Sequence, residues 1–285
     1  MSRPTRATAA GRAYLDLQNL ARRQGRTTQE LLTMYVVERW LARLAASPYK
    51  EDFVLKGGML LAAFGRRRPT VNADTWARNL PRDADTVGRR VAEIAALPYP
   101  DDGVVFRLDT LTTHVIRDEA LYAGVRVSMD AALATATVKL RVDVSFGDPI
   151  TPAPQPVELP SLRPGTAPVR VLGYPLATIL AEKLVTAIDL GAANTRVRDY
   201  ADIYTLTTRD VGPAELRAAL AATAAFRGVP LRPLSAAIDD LVPIRAATYD
   251  AYLRALGPAG EDLPRAFADL VAAVVAFSHP LLGAP

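Results

Sequence analysis

The chain has 285 residues, 50% of them hydrophobic, with a formal charge of +4 and a pI near 9.4. That is enough apolar material for one large core or two modest ones, and the mild basicity permits a nucleic-acid partner without requiring one. The absence of cysteine excludes disulfides, thiolate nucleophiles and cysteine-ligated zinc, and no window reaches a membrane-spanning apolar length.

In chain order, residues Gly11 to Arg23 and Thr27 to Ala46 read as two helices. Thr27 followed by Glu30 fits a capping box, and Leu31, Met34, Tyr35, Glu38, Leu41 and Leu44 trace a helical repeat that Pro48 ends. Gly57-Gly58 precedes a short apolar helix from Met59 to Phe64. Val71 to Ala77 reads as a strand, Asp83 to Ala96 as a helix, and Val104 to Leu108, Thr113 to Arg117 and Ala123 to Met129 as strand-like runs. The clearest strand is Thr137 to Phe146. There Val138, Leu140, Val142 and Val144 alternate with Lys139, Arg141, Asp143 and Ser145, so one face is buried and Asp143 points the other way.

Between Pro149 and Pro168 the composition changes to seven prolines with little periodicity, which predicts an extended connector between two lobes. A short strand at Val169 to Leu172 follows. The rest reads as helix: Pro175 as a first-turn residue of a helix to Leu190, then Arg198 to Arg209, Pro213 to Phe226, Ala246 to Leu256 and Pro264 to Phe277. The expected fold class is α+β, with an N-terminal α/β lobe over residues 1–158 and a helical lobe over 169–285.

Several constellations carry chemistry. Asn72 and Asp74 are two apart on a strand, so their side chains share a face. A D-x-D pair at that spacing holds divalent metal and aligns a hydroxyl against an α-phosphate. Here the first member is an amide, which ligates Mg²⁺ through oxygen but brings no charge. A polar surface strand accounts for the pair as well. Asp143, on the outward face of a second strand, would complete such a site, or be an ordinary surface aspartate.

Gly57-Gly58 before a helix offers free backbone N–H groups where phosphate sits. Arg66, Arg67 and Arg68 follow, positioned to meet a triphosphate or an RNA backbone, although a solvated loop is the commoner fate of such a run. Lys183 borders the apolar stripe of its helix, from which it either snorkels to solvent or reaches a phosphate. Asp199 and Asp202 are i,i+3 neighbours, and an N-terminal charge cluster complementing the helix dipole is the alternative for Asp199. His114 and His279 are far apart with no ligand spacing around either. No Walker loop, nucleophile elbow or nucleophile–histidine pair is present.

In order, the chain carries K-G-G, R-P-T-V-N-A-D, V-D-V-S-F-G-D, A-E-K-L and R-V-R-D-Y-A-D. Over about Phe53 to Leu206 this series resembles the AbiEii-type nucleotidyltransferase toxins, the group that includes the MenT toxins of mycobacteria. The resemblance implies a polymerase-β-like nucleotidyltransferase core with a mixed sheet, followed by a C-terminal helical bundle lobe. It implies Mg²⁺, a nucleoside triphosphate substrate, and addition of nucleotides, typically pyrimidines, to the 3′ acceptor end of tRNA so that aminoacylation is blocked. A cognate antitoxin is the implied protein partner, and the cytoplasm the implied location.

Carried over residue by residue, Lys56, Gly57, Gly58, Thr70, Asn72 and Arg198 are nucleotide-side positions, and Arg66, Arg67 and Arg68 RNA-side positions. Asp74, Asp143 and Asn72 are the metal positions. Asp74, Asp143, Lys183, Asp199 and Asp202 are the catalytic set. The departure is Asn72 where many relatives have aspartate. Two other readings stay open: transfer to a protein hydroxyl, and a catalytically weakened relative that binds RNA or antitoxin.

Overall fold

The three longer helices of the N-terminal half each begin where a side chain satisfies backbone donors the first turn leaves free. In the computed structural model, which describes residues 3–65, 67–99, 101–117 and 123–283, helix α1 spans Ala9–Arg23, and its N-cap Thr8 accepts from the Gly11 amide at 3.0 Å. Helix α2 spans Thr28–Ala46 with Thr27 accepting from Glu30 N, as the capping-box spacing predicts. Asp83 caps α4, Ala84–Ala96, in the same way through Thr86 N. Between them lie strand β1 (Phe53–Lys56), the single turn α3 (Gly57–Leu60), a 3₁₀ turn (Leu61–Phe64) and strand β2 (Ala73–Ala77). Asn72 therefore stands just before β2 rather than inside it.

The remaining strands are β3 (Val104–Arg117), β4 (Ala123–Leu133), β5 (Ala136–Ser145), β6 (Gln155–Leu159) and β7 (Val169–Gly173). They form a mixed seven-stranded sheet in the order β3-β4-β5-β2-β1-β7-β6. The pairs β2/β5 and β1/β7 are parallel, and the others antiparallel. The two runs expected at 104–108 and 113–117 are one strand, whose register slips between Arg107 and Thr112. Such a bulge breaks the alternation that a reader of sequence relies on.

The proline-rich segment is corrected more substantially. It is not wholly a connector, because Gln155–Leu159 pairs with β7 along the sheet edge, with Pro156 opposite Leu172. An edge strand tolerates a residue lacking N–H. Val169–Gly173, expected at the head of the helical lobe, joins the sheet instead.

Val138, Leu140, Val142 and Val144 are fully buried, as their alternation predicts, and helices α1, α2 and α4 pack on the sheet. Trp40 of α2 donates its indole N–H to the Val91 carbonyl of α4. Glu38 is 0% exposed, and a buried carboxylate survives only with full pairing. It accepts from Arg39, from Arg67, from the Ser161 hydroxyl and from the Leu162 amide, fixing two loops to α2.

By chain contacts the protein divides into a first unit of Met1–Gly147 with Gln155–Gly173, and a second of Asp148–Pro154 with Tyr174–Pro285. The second unit is helical: α5 (Leu176–Leu190), α6 (Val197–Leu206), α7 (Pro213–Arg227), α8 (Leu234–Ala237), α9 (Leu241–Leu256) and α10 (Phe267–Leu282). Pro175 is the N-cap of α5 rather than its first-turn residue. Phe267 packs against Tyr200 and Tyr249, tying α10 to α6 and α9. Among the described residues no helix is long and apolar enough to cross a membrane.

Candidate active site

The register of four strands writes a charged row across one face of the sheet. Arg126 of β4 pairs with Asp143 of β5, Asp143 with Asp74 of β2, and Asp74 with Lys56 of β1. Directly paired residues of neighbouring strands point the same way, so two carboxylates lie side by side with a cation at each end. Side-chain bonds pin the central pairing: Thr75 Oγ1 donates to the Asp143 carbonyl and Ser145 Oγ to the Thr75 carbonyl, each at 3.2 Å.

Asn72 completes the row from its position at the foot of β2. Its Nδ2 donates at 2.7 Å to Asp74 Oδ1 and at 2.7 Å to Asp143 Oδ2. One nitrogen thus bridges both carboxylates, whose facing oxygens lie at most twice that distance apart. Thr70 Oγ1, 3.4 Å from Asn72 Oδ1, steadies the other end of the amide. Arg126 grips Asp143 with both prongs, Nε to Oδ1 at 2.7 Å and an Nη to Oδ2 at 2.8 Å. Its own pKa is raised, first by that bonding to Asp143.

The Asp74 carboxyl is raised above its ordinary range, chiefly by burial and next by the charge of Asp143. Lys56, Arg68 and the Gly58 amide pull the other way. The glycine pair owes its place to this carboxylate. Gly57 has φ +65°, and a methyl there would lie 2.0 Å from Asp74 Oδ2, while one on Gly58 would lie 2.9 Å from Thr70 Oγ1. Backbone is packed against an acid here, which only glycine permits.

The residues present fit a divalent cation with a reduced donor set. Asp74 and Asp143 supply two adjacent carboxylates whose mutual repulsion a cation would relieve, and Asn72 offers Oδ1 if its amide turns over. Among the described residues no group of three or more acidic or histidine side chains is arranged for a metal. Two carboxylates and an amide make a weaker site than three carboxylates.

Of the arginine run, Arg66 lies outside the described residues. Arg67 turns inward, with its guanidinium on Glu38 at 3.3 Å and on the Pro160 carbonyl, so it is committed to the internal network. Arg68 stays close enough to act on Asp74.

The second unit carries its own cluster. Lys183 Nζ of α5 donates to Asp199 Oδ1 at 2.7 Å and to Asp202 Oδ2 at 2.9 Å, both on α6. The i,i+3 spacing puts both aspartates on one helix face, toward α5. Arg196 lies 2.7 Å from the other Asp199 oxygen. Burial alone would raise the Asp199 carboxyl, but Lys183 and Arg196 outweigh it and bring it down to about 2. Arg198 is exposed on the same helix. His114 and His279 are both exposed, on β3 and α10.

Three residues gained roles that the sequence reading did not give them. Arg126 sits in a strand read without its register. Asp148, the second acid of the V-D-V-S-F-G-D series, is gripped in the second unit by Arg227 at 2.9 and 3.0 Å. Glu38 was legible only as an acid at a core position of a helical repeat.

Comparisons with known proteins bear on the family and the fold. The sequence profile of the family described as "Nucleotidyl transferase AbiEii toxin, Type IV TA system" matches residues 39–273. No curated protein matches the chain in sequence. The crystal structure of JHP933 from Helicobacter pylori shares the fold at a TM-score of 0.53 and 20% identity, over 90% of this chain and 94% of that one. A second H. pylori structure, described as a candidate nucleotidyltransferase, superposes at 0.50 with 19% identity over 88% of this chain and 95% of its own. With a mixed α+β sheet, a helical C-terminal region and a match across most of its length, the chain belongs to the AbiEii nucleotidyltransferase toxins of type IV toxin–antitoxin systems.

Proposed function

We propose that the protein transfers a nucleoside monophosphate, in keeping with the family a pyrimidine nucleotide, from the triphosphate to the 3′ acceptor end of tRNA, and so blocks aminoacylation. The observation that carries this reading is the register pairing of Asp74 with Asp143 on adjacent parallel strands, bridged by Asn72. A divalent cation, Mg²⁺ in this reading, when bound between them supplies charge neutralisation at the phosphates. Asp74 and Asp143 would hold it, with Asn72 as a neutral third donor.

The rest is done by positioning. The Gly57-Gly58 turn, proposed to face the phosphates, packs against Asp74 and Thr70 and seats that carboxylate, and Lys56 and Arg68 bring positive charge beside Asp74. Thr70 sets the Asn72 amide. The RNA 3′-oxygen bonds to the α-phosphorus, the bond to the β-phosphate oxygen breaks, pyrophosphate leaves and the hydroxyl proton is released to water. In the second unit, Lys183 and Arg198 are proposed as phosphate contacts, with Asp199 and Asp202 holding Lys183 in place. An antitoxin is the partner that the family implies.

The test is incubation with each of the four α-labelled triphosphates, total tRNA and Mg²⁺, with chelator in parallel. Labelled tRNA that disappears with chelator supports the reading. Label on protein and none on RNA would move the acceptor to a protein hydroxyl. A specific observation favours one other reading: Asn72 and Arg126 together already satisfy the two carboxylates, as expected of a weakened relative that binds RNA without modifying it. No label on either acceptor, with retained tRNA binding, is the result that reading predicts.

A further inference from the structure

Arg126 ends the charged row on the β4 side. Arg126 is 41% exposed along its side chain while its partner Asp143 is 13% exposed. The acid is fixed in the middle of the sheet, and the base reaches it from a long stem at the sheet surface. Among the described residues Asp143 is the only group to which Arg126 hydrogen-bonds. The two-pronged grip uses the same Asp143 oxygens that a divalent cation requires, and Oδ2 is also the oxygen bonded to Asn72. A guanidinium fork matches phosphate as well as it matches carboxylate. Release of Arg126 strands no buried charge of its own, because much of the side chain is already in water, and ion pairs with an exposed member are weak.

We propose that Arg126 is a latch on the candidate active site: it holds Asp143 in the resting protein, yields that carboxylate to a divalent cation, and turns its fork to the phosphates of the incoming nucleoside triphosphate. The inference rests on the reading of Asp74 and Asp143 as the cation-holding pair. It explains how a site whose acids are saturated by internal donors can still open. It makes Arg126 a substrate-positioning residue that the sequence pattern alone does not reveal.

The experiment compares the wild-type chain with Arg126→Gln, Arg126→Lys and Asp143→Asn. Free Mn²⁺ is titrated by electron paramagnetic resonance, and then a non-hydrolysable triphosphate is titrated with Mg²⁺ present. Thermal unfolding establishes that each variant is folded. With the latch removed, Arg126→Gln binds Mn²⁺ roughly three- to tenfold more tightly and the nucleotide analogue several-fold more weakly. Arg126→Lys keeps the charge but loses the fork, so it also binds Mn²⁺ more tightly than wild type; equal affinity would mean that only long-range charge is at work and would overturn the latch. Both affinities falling together, or neither changing, would overturn it as well. If Mn²⁺ binding depends on Asp143 but ignores Arg126, the latch alone fails. If no folded variant binds Mn²⁺ at all, the cation-holding pair fails, and the latch with it.

Discussion

Replacing Asn72 by aspartate sets a third carboxylate beside Asp74 and Asp143, and its cost can be worked out. In the wild type, Nδ2 makes two bonds of 2.7 Å to carboxylate oxygens. Bonds of this kind, to charged partners, contribute roughly 1.5–3 kcal/mol each. The variant loses both and sets an acid oxygen against two others. Complete ionisation of three such neighbours is avoided by protonating one, and Asp74, already raised by burial and by Asp143, is the natural acceptor. In chelator at neutral pH, the loss of both bonds should therefore destabilise Asn72→Asp by roughly 3–6 kcal/mol, lowering the melting temperature of a unit this size by about 6–24 °C. The deficit should shrink as the pH falls, because one carboxyl then carries its proton in the folded state. Mg²⁺ at a hundredfold excess over its dissociation constant should return about 2.7 kcal/mol. Circular dichroism melts with chelator and with Mg²⁺ read both effects. Identical melts of variant and wild type in chelator, or no recovery with Mg²⁺, would refute the reasoning about this site.

Three further predictions follow the same geometry. Gly57→Ala places a methyl 2.0 Å from Asp74 Oδ2 on a backbone with φ +65°, so stability should fall by about 1–3 kcal/mol and nucleotidyl transfer should be lost; unchanged urea unfolding would show that the acid does not crowd the turn. Lys183→Met leaves Asp199 and Asp202 buried without their shared cation, which should cost the second unit about 3 kcal/mol, read by calorimetry against a Lys183→Met/Asp202→Asn double variant that recovers part of it. Asp199, held down to about 2, contributes stability above the ordinary aspartate pKa and loses it as the pH falls from about 4 to about 2. The deficit of Asp199→Asn should accordingly be about 2 kcal/mol at pH 7 and close over that window in urea titrations, whereas a constant deficit would contradict the charge argument.

Which parts were legible in the sequence follows from how local each signal was. Strand β5 and the outward direction of Asp143 came from strict alternation over ten residues, a pattern that no long-range contact is needed to create. The Thr27 cap was local for the same reason. Strand β6 was hidden because the prolines in and around it argue against a strand, and only its place at the sheet edge makes Pro156 acceptable. Helix α9 begins at Leu241 rather than near Ala246, since Pro243 sits in the first turn, where it is tolerated. Arg67 reads as one of three loop cations, but the buried Glu38, far away in sequence, draws it inward. Arg126 shows the limit most clearly. GVRVSM marks a strand, and nothing in those six residues says that the arginine stands opposite Asp143; strand register decides that.

The most direct test of the central claim is label transfer to tRNA from an α-labelled triphosphate, comparing wild type with Asp74→Ala and intact tRNA with tRNA whose 3′ end has been oxidised by periodate. The account predicts label on intact tRNA with the wild-type protein, and none with the variant or with the oxidised acceptor. Equal labelling by Asp74→Ala, or of the oxidised tRNA, would contradict it.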